Sequence, residues 1–183
     1  MISDTKLEKI KPHENPIYGI TRTFQDVRLF EQITVLDNIL VVLTERNLWS
    51  AFFERHTKLH LEKAEELLTS VGIWEKRNEL AENLSYGQRK LLEVVRALAM
   101  NADIILFDEP FAGLFPEMVK TVASILKSLR NENKAVVLIE HNMDLIRELS
   151  DHVIVIDAGA FLTQGPPEKV LEDRKVIEAY LGE

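Results

Sequence analysis

The chain has 183 residues, no cysteine and a formal net charge of −8, from 30 acidic against 22 basic residues. This length suits one domain with its own hydrophobic core, and the lack of cysteine excludes disulfides and thiolate zinc sites. The basic residues are scattered, whereas a nucleic-acid binder needs a concentrated basic face. We therefore expect no nucleic acid as a main partner.

The sequence offers no candidate for a membrane-spanning helix. Its apolar runs, such as residues 39–43 and 135–139, are far shorter than the roughly 18 to 20 residues that a span needs. Residues 1–15 are polar and mixed in charge, unlike the apolar core of a secretory signal. We expect a protein that does not cross a membrane and stays in the compartment where it is made.

The first half of the chain is predicted to be mainly helical. Apolar residues recur at the spacing of one helix face in residues 34–47 and 60–71, and Gly72 is placed to end the second helix. A third helix is predicted from residue 86 to about residue 100. We assign residues 26–100 to a helical lobe that carries this third helix.

Strands alternate with helices after residue 100. The predicted strands are 104–107 and 135–139, and 153–156 with 161–163 form a predicted hairpin that turns at 157–159. The predicted helices are 116–130 and 142–149, and a helical tail follows Pro166 and Pro167. This order predicts an α/β fold with a partly parallel sheet and right-handed crossovers over residues 101–183. With so few strands, we expect another segment to complete the sheet.

Two adjacent carboxylates follow the first of these strands. Asp108 and Glu109 come directly after the apolar residues 104–107, and ligands of open α/β sheets gather beyond the carboxyl ends of strands. Because side chains alternate along an extended backbone, we expect one carboxylate to face Mg²⁺ and the other to polarise a water. The alternative is a strand that ends in solvated acids before a proline turn.

The residues before the third helix form a helix-capping pattern. Ser85 stands at the expected N-cap and Gln88 three residues later, which satisfies the capping-box rule. One interpretation is that these residues only cap and stabilise the helix, which would fully account for the pattern. The other is an anion site, since a helix start offers free N–H groups and Gly87 allows a phosphate to approach the backbone.

Two further polar residues are weaker candidates. His141 follows the strand 135–139 and could sense a phosphate, although a histidine after a strand is more often a loop residue. Gln25 precedes the helical lobe and could reach Mg²⁺ or water with its amide oxygen, although surface glutamines are common. A phosphate-binding loop G-x-x-x-x-G-K-[ST] is not found in residues 1–183, since none of the seven glycines precedes a lysine.

Taken in order, these motifs resemble those of the ATP-binding cassette (ABC) family. Gln25 is similar to the Q-loop, Leu84 to Gln88 to the signature, Ile104 to Glu109 to Walker B, and His141 to the switch histidine. The run Ala112, Gly113 and Leu114 is similar to most of the D-loop. The stretch from Arg22 to Gln25, the tyrosine in the signature and the C-terminal tail resemble the branched-chain amino acid importer subgroup.

The resemblance implies an incomplete P-loop NTPase-like fold, an ABC ATPase domain without Walker A in residues 1–183. It implies ATP and Mg²⁺ as cofactors, with Glu109 and His141 catalytic and with Asp108 and Gln25 at the metal. It further implies that Gln25, Ser85, Tyr86, Gly87, Gln88 and Gly113 contact the nucleotide. Phe115 departs from the family, which usually has a polar residue at that place in the D-loop.

Partners follow from the same resemblance. Family members pair with a second ATPase subunit and with transmembrane permease subunits at the inner face of the cell membrane. We expect an ATP-hydrolysing importer subunit whose residues 1–183 have little activity alone, since residues 1–16 are too few to hold a P-loop and an adenine platform. The alternatives are a non-catalytic module that lends its signature to an intact cassette and, less favoured, a soluble ABC ATPase outside transport.

Overall fold

The computed structural model describes residues 11–44 and 54–181. The α-helices are α1 (Val35–Leu43), α2 (Glu54–Ser70), α3 (Tyr86–Ala99), α4 (Pro116–Asn131), α5 (Met143–Leu149), α6 (Pro167–Val170) and α7 (Arg174–Leu181). The strands are β1 (Ile20–Arg22), β2 (Ile104–Asp108), β3 (Ala135–Ile139), β4 (Val153–Asp157) and β5 (Ala160–Gly165). Short 3₁₀ helices cover Pro12–Tyr18, Trp74–Lys76 and Ala81–Asn83.

The local patterns predicted most elements well. The bounds of β3 are as predicted, and α3 and α4 each differ by one residue from the predicted end. Gly72 ends the α2 region with a left-handed φ of 70°, as its position predicted. The predicted end of the first helix is wrong, because α1 stops at Leu43 and its C-cap Thr44 is extended; residues 45–53 lie outside the described ranges.

A three-stranded sheet holds the strand that ends in the two carboxylates. Its order is β1, β2, β3, and β1 runs parallel to β2 with Ile20 opposite Ile104 and Arg22 opposite Leu106. The sequence patterns did not predict β1, because three residues are too few to show alternation. Because the two strands are parallel, this pairing brings Thr23, the residue that follows β1, beside the carboxyl end of β2.

The hairpin predicted for residues 153–156 and 161–163 is confirmed, whereas the implied extension of the partly parallel sheet to β4 is wrong. This strand pairs antiparallel with β5 in a separate two-stranded sheet. The hairpin turns through Ala158 and Gly159, both with left-handed φ values of 47° and 80°, which favour a tight connection between antiparallel strands. Local pairing across this turn gives β4 its partner. The predicted helical tail is also interrupted, since residues 171–173 separate α6 from α7.

The chain divides into two compact units, Met1–Val137 and Leu138–Glu183, with the boundary inside β3. The hydrophobic core of the first unit comes mainly from α1 to α4 and β2. Its fully buried side chains, each 0% exposed, include Ile39, Leu68, Leu92, Phe107 and Val122. The core of the second unit contains Val153, Val170 and Val176. The predicted lobes of residues 26–100 and 101–183 stay a prediction.

None of the described helices combines the length and the apolar character that crossing a membrane requires.

Candidate functional site

The carboxyl end of β2 carries the two predicted carboxylates. Ile105 and Phe107 anchor the strand in the core, and Asp108 is its last residue. The Asp108 N–H donates a hydrogen bond to Thr23 Oγ1 at 3.1 Å, which fixes the strand end against the residue that follows β1. This contact between residues 85 positions apart holds Asp108 in a half-buried place.

The backbone at Glu109 differs from the expected one. We expected both carboxylates on extended backbone, but Glu109 has a left-handed φ of 46°, so the alternation of side chains does not extend to it. The chain turns sharply here, and Ala112 N–H donates back to the Glu109 carbonyl at 3.3 Å. A non-glycine residue in this conformation stores strain, and such residues cluster at functional sites.

Arg22 is a contact residue that the motif assignment did not predict. Its Nη2 lies 2.7 Å from Asp108 Oδ2 and forms an ion pair with it. The Arg22 side chain is 46% exposed, and pairs with an exposed partner are weak and easily displaced. The guanidinium thus neutralises the carboxylate without closing it off from other cations.

The donor chemistry at Asp108 fits Mg²⁺ that arrives with phosphates. Magnesium prefers oxygen ligands, keeps several waters and is usually held by one or two carboxylates together with substrate phosphates. No group of three or more His, Cys, Asp or Glu side chains suitable for a metal occurs within residues 11–44 and 54–181. Asp108 is therefore a candidate for a shared magnesium site and not for a site built from protein ligands alone.

Gln25 lies two residues beyond Thr23, the residue that binds the end of β2. It is exposed, and its carbonyl oxygen accepts a hydrogen bond from Lys90 Nζ at 3.0 Å. Lys90 is on α3, and Glu93 on the same helix accepts a hydrogen bond from Arg28 N–H at 3.2 Å. Sequence patterns missed both contacts, although charged residues inside the apolar run of α3 were a signal that could have suggested them.

Burial controls the ionisation of these α3 charges. Desolvation raises the pKa of Glu93 above its ordinary value, against the opposing effects of the Arg28 and Phe24 N–H groups and the charges of Lys90 and Arg96. Burial lowers the pKa of Arg96, and the Glu93 charge opposes that shift. Both directions have desolvation as the largest cause, as expected for charges that are partly removed from water.

The start of α3 has the predicted capping box. Gln88 N–H donates to Ser85 Oγ at 3.4 Å, and Ser85 N–H donates to Gln88 Oε1 at 3.1 Å. Ser85 and Tyr86 are exposed and Gln88 is half-buried. The helix start is therefore accessible as well as capped, which is the geometry that an anion site at a helix N-terminus needs.

Gly87 has a packing reason that the sequence did not reveal. It is buried, and a Cβ at this position would lie 2.8 Å from Met118 Sδ and 3.6 Å from Leu114 Cδ2. The missing side chain therefore lets α3 pack closely on α4. The close approach of a phosphate to the Gly87 backbone stays a prediction.

Gly113 contacts the tyrosine at the start of α3. It has a left-handed φ of 72°, and a Cβ there would lie 2.7 Å from Tyr86 Cε1. The Tyr86 ring thus covers Gly113 and joins the predicted signature to the predicted D-loop. Phe115, two residues later, is 73% exposed and is the N-cap of α4 without a side-chain cap hydrogen bond.

His141 belongs to the second unit. It is exposed, its N–H donates to Glu140 Oε2 at 3.1 Å, and it precedes Asn142, the N-cap of α5. Asn142 Oδ1 accepts from Asp144 N–H and Leu145 N–H, which fixes the helix start. The role of His141 at the β2 carboxylates stays a prediction.

A separate groove of about 450 Å³ lies among α2, α3 and α4 and is lined by residues such as Leu67, Leu98 and Leu129. None of the predicted site residues lines it. Cavity size alone thus does not identify the candidate site, which is defined by the end of β2, the segment after β1 and the starts of α3 and α4.

A family model for the ABC transporter matches residues 2–112, more than half of the chain. A second model, for the branched-chain amino acid ATP-binding cassette transporter, matches residues 162–183. The chain belongs to the ABC transporter ATPase family. Its predicted fold class, an α/β P-loop NTPase-like ABC ATPase domain with a parallel sheet, is confirmed by the structural likeness to solved ABC cassettes.

Two curated relatives of this ABC cassette match it across nearly its whole length. The high-affinity branched-chain amino acid transport ATP-binding protein LivG of Escherichia coli strain K12 is 36% identical over all of this chain and 75% of its own length. The corresponding protein BraF of Pseudomonas aeruginosa is 37% identical over 97% of this chain and 73% of its own. The chain is therefore homologous to these ATP-binding subunits.

Solved cassettes agree with this assignment. A nucleotide-free ATP-binding cassette from an ABC transporter has a TM-score of 0.75 at 32% identity and covers 95% of this chain and 73% of its own. A dimeric cassette in a post-hydrolysis state, bound to ADP and phosphate, has a TM-score of 0.77 at 24% identity over 91% of this chain and 72% of its own. The second likeness supports the fold alone.

Proposed function

We propose that this ABC cassette is the ATP-hydrolysing subunit of an importer of branched-chain amino acids. The observation that carries the proposal is the identity of 36% and 37% with LivG and BraF along nearly the whole chain. The match of residues 162–183 to the branched-chain amino acid model supports the same subgroup. The subunit would lie at the inner face of the cell membrane and bind permease subunits.

In this proposal the carboxylates at the end of β2 have separate tasks. Asp108 would hold the Mg²⁺ that accompanies ATP, an ion that offsets phosphate charge, and Gln25 would assist with its amide oxygen. Glu109 would act as the general base for the attacking water, and His141 would sense the γ-phosphate. The ion pair with Arg22 gives Asp108 a counter-charge that a metal can replace.

The second face of the proposed site is the start of α3. Its N–H groups and helix dipole favour a bound phosphate, and Ser85, Tyr86, Gly87 and Gln88 would contact ATP held by a partner subunit. Tyr86 covers Gly113, so the two motifs would meet the partner together. One solved cassette of the same fold is a dimer, and pairing with a second ATPase subunit is part of this proposal.

Glu109→Gln tests the catalytic proposal in a complex reconstituted from this chain, permease subunits and an intact cassette of the LivG type. Loss of ATP hydrolysis with retained assembly is expected, because the amide cannot accept the proton of water. Glu65→Gln is the matched control, since Glu65 is an exposed residue in the middle of α2, outside the site. Unchanged turnover in the Glu109 variant would contradict a catalytic role.

A second candidate function is a non-catalytic module that lends its signature face to an intact cassette. Its support is that the signature residues Ser85 and Tyr86 are exposed at the start of α3 and so accessible to a partner cassette. Calorimetry on residues 1–183 is expected to detect little Mg-ATP binding, and micromolar affinity would contradict this expectation. Turnover that survives Glu109→Gln but is lost with Ser85→Ala would favour the module.

A further inference from the structure

Two buried charges on α3 lie outside the proposed catalytic residues. The side chains of Lys90 and Glu93 are 1% and 3% exposed, and their charged atoms are 4.0 Å apart. Charges this deep in a protein are costly unless they are paired and hydrogen-bonded. Their partners therefore indicate what the fold gains by burying them.

Lys90 binds two successive main-chain carbonyl groups, those of Phe24 and Gln25. Its Nζ donates to the Phe24 carbonyl at 3.2 Å and to the Gln25 carbonyl at 3.0 Å. These partners are 66 and 65 positions away in the sequence. An ammonium has three donors and no acceptor, so two of its three N–H groups hold this one peptide stretch.

The rest of the same stretch is held by the same face of α3. Glu93 Oε1 accepts from Arg28 N–H at 3.2 Å, and the Arg96 guanidinium donates to the Arg28 carbonyl. Lys90, Glu93 and Arg96 are spaced three residues apart, which places them on neighbouring turns of one helix face. Residues 24–28, which we call the Gln25 segment, are thus tied to α3 at both ends.

The Gln25 segment also closes on itself. The Arg28 guanidinium lies over the Phe24 ring with 4.1 Å between its Cζ and the ring centroid, a favourable cation–π geometry. Gln25 remains exposed between these anchored residues. The backbone of the segment is therefore held firmly while the side chain predicted to reach the metal faces solvent.

We propose that Lys90, paired with Glu93, is a positioning residue that fixes the Gln25 segment to the signature helix, so that Gln25 and the start of α3 move as one body. The purpose of this anchor rests on the proposed ATPase function. Its existence does not, because the anchor can be measured without nucleotide. A merely structural ion pair would stabilise the whole first unit without a particular effect on residues 24–28.

Hydrogen–deuterium exchange on residues 1–183 tests the anchor in the absence of ATP. Lys90→Met keeps an unbranched side chain, one atom shorter than that of lysine, and removes its donors and charge. We expect exchange of the Gln25 segment, read at Arg28 N–H, to accelerate at least 10-fold while α4 and the second unit keep their wild-type rates. Equal acceleration across the first unit, or an unchanged segment, would overturn the proposal.

Lys134→Met is the matched control for this experiment. Lys134 is a mostly buried lysine whose Nζ donates to Asn101 O and Oδ1 and does not contact the Gln25 segment. Its removal should leave exchange at residues 24–28 unchanged. If Lys90→Met does not fold, Lys90→Gln, which removes the charge and shortens the side chain by one atom, should give an acceleration confined to the same segment. No acceleration with Lys90→Gln would overturn the anchor.

ATP hydrolysis by the reconstituted complex separates the anchor from the proposed function. With a working wild-type chain, Lys90→Met should lower kcat at least 10-fold and leave KM for Mg-ATP within about twofold, because the segment organises bound nucleotide. Restored exchange and kcat in Lys90→Arg would support positioning by donors. A wild-type complex without turnover would defeat the proposed function and leave the exchange result as the measure of the anchor.

Discussion

Helices α3 and α4 both begin at a residue of the candidate site, but their first turns are stabilised differently. Ser85 and Gln88 cap α3 reciprocally, whereas Phe115 starts α4 with an exposed ring and no side-chain cap hydrogen bond. A helix start without a side-chain cap leaves its N–H groups to other partners or to water. The first turn of α3 is therefore stabilised by residues of its own sequence, whereas the first turn of α4 has no side-chain cap.

The buried faces of the two helices differ in the same direction. The buried residues of α4 are Val122, Ala123, Leu126 and Leu129, all apolar. The buried face of α3 adds Lys90 and Glu93 to its apolar residues. We infer that α4 supports the site through apolar packing, while α3 combines packing with polar contacts to residues 24–28. The following predictions test this contrast, from the largest expected effect to the smallest.

Glu93→Ala should be the most destabilising of these changes. It leaves Lys90 and Arg28 N–H without their buried partner, and breaking a buried pair from one side costs about 3 kcal/mol or more. Urea unfolding of residues 1–183 measures the loss. Glu117→Ala on the exposed face of α4 is the control and should change stability by less than about 0.5 kcal/mol. Equal effects in both variants would remove the contrast between the helices.

Gly113→Ala should cost about 1 to 3 kcal/mol. The new Cβ requires a left-handed backbone and would lie 2.7 Å from the Tyr86 ring, with its nearest contacts all on that ring. Thermal unfolding of Gly113→Ala, Tyr86→Gly and the double variant measures the coupling. The double variant should recover the part of the loss that is due to the ring. Strict additivity would show that the Tyr86 contact does not constrain the start of α4.

The stability of the wild type should depend on pH through Glu93. Because burial raises its pKa above the ordinary 4.5, the folded protein binds more protons than the unfolded chain in the window between the two values. The stability that Glu93 contributes is then present below pH 4.5 and is lost as pH rises through the raised pKa, with a slope of at most about 1.4 kcal/mol per pH unit. Glu93→Gln should lack this slope in urea titrations, and a rising slope would contradict the sign.

Ser85→Ala should lower stability by about 1 kcal/mol, the usual cost of losing an N-cap. The change removes the acceptor for Gln88 N–H and leaves the rest of the capping box in place. Far-UV circular dichroism during urea unfolding measures it. A Ser85→Asp variant, which retains a capping oxygen, should recover most of the loss. Failure of Asp to recover it would mean that the cap contributes little.

Phe115→Asn should increase stability by about 0.5 to 1 kcal/mol. Asparagine is a favoured N-cap, and the ring that it replaces is 73% exposed, so little apolar burial is lost. Thermal unfolding compares it with Phe115→Ala, which removes the ring without adding a cap. If both variants are equally stable, the start of α4 already has an equivalent partner.

The elements that the sequence predicted well are those that local spacing determines. The capping box, β3 and the ends of α3 depend on residues that lie a few positions apart in the sequence. The strand β1 pairs with residues 84 positions further along the chain, and the ion pair of Arg22 with Asp108 joins residues 86 positions apart. No local pattern reports such pairings. The same holds for Lys90, whose partners lie on a different element. The left-handed backbone of Glu109 could not be predicted from the sequence either, because glutamate is not a residue type that indicates such a turn.

One consequence of the sheet order concerns the handling of this protein in solution. In the sheet formed by residues 11–44 and 54–181, β3 is an outermost strand, its sequence contains only alanine, valine, leucine and isoleucine, and Val137 is 48% exposed. Uncharged outermost strands present backbone groups that can recruit strands of other molecules and so promote aggregation. Dilute samples and a solubilising charge on this strand should keep residues 1–183 monodisperse for the measurements above.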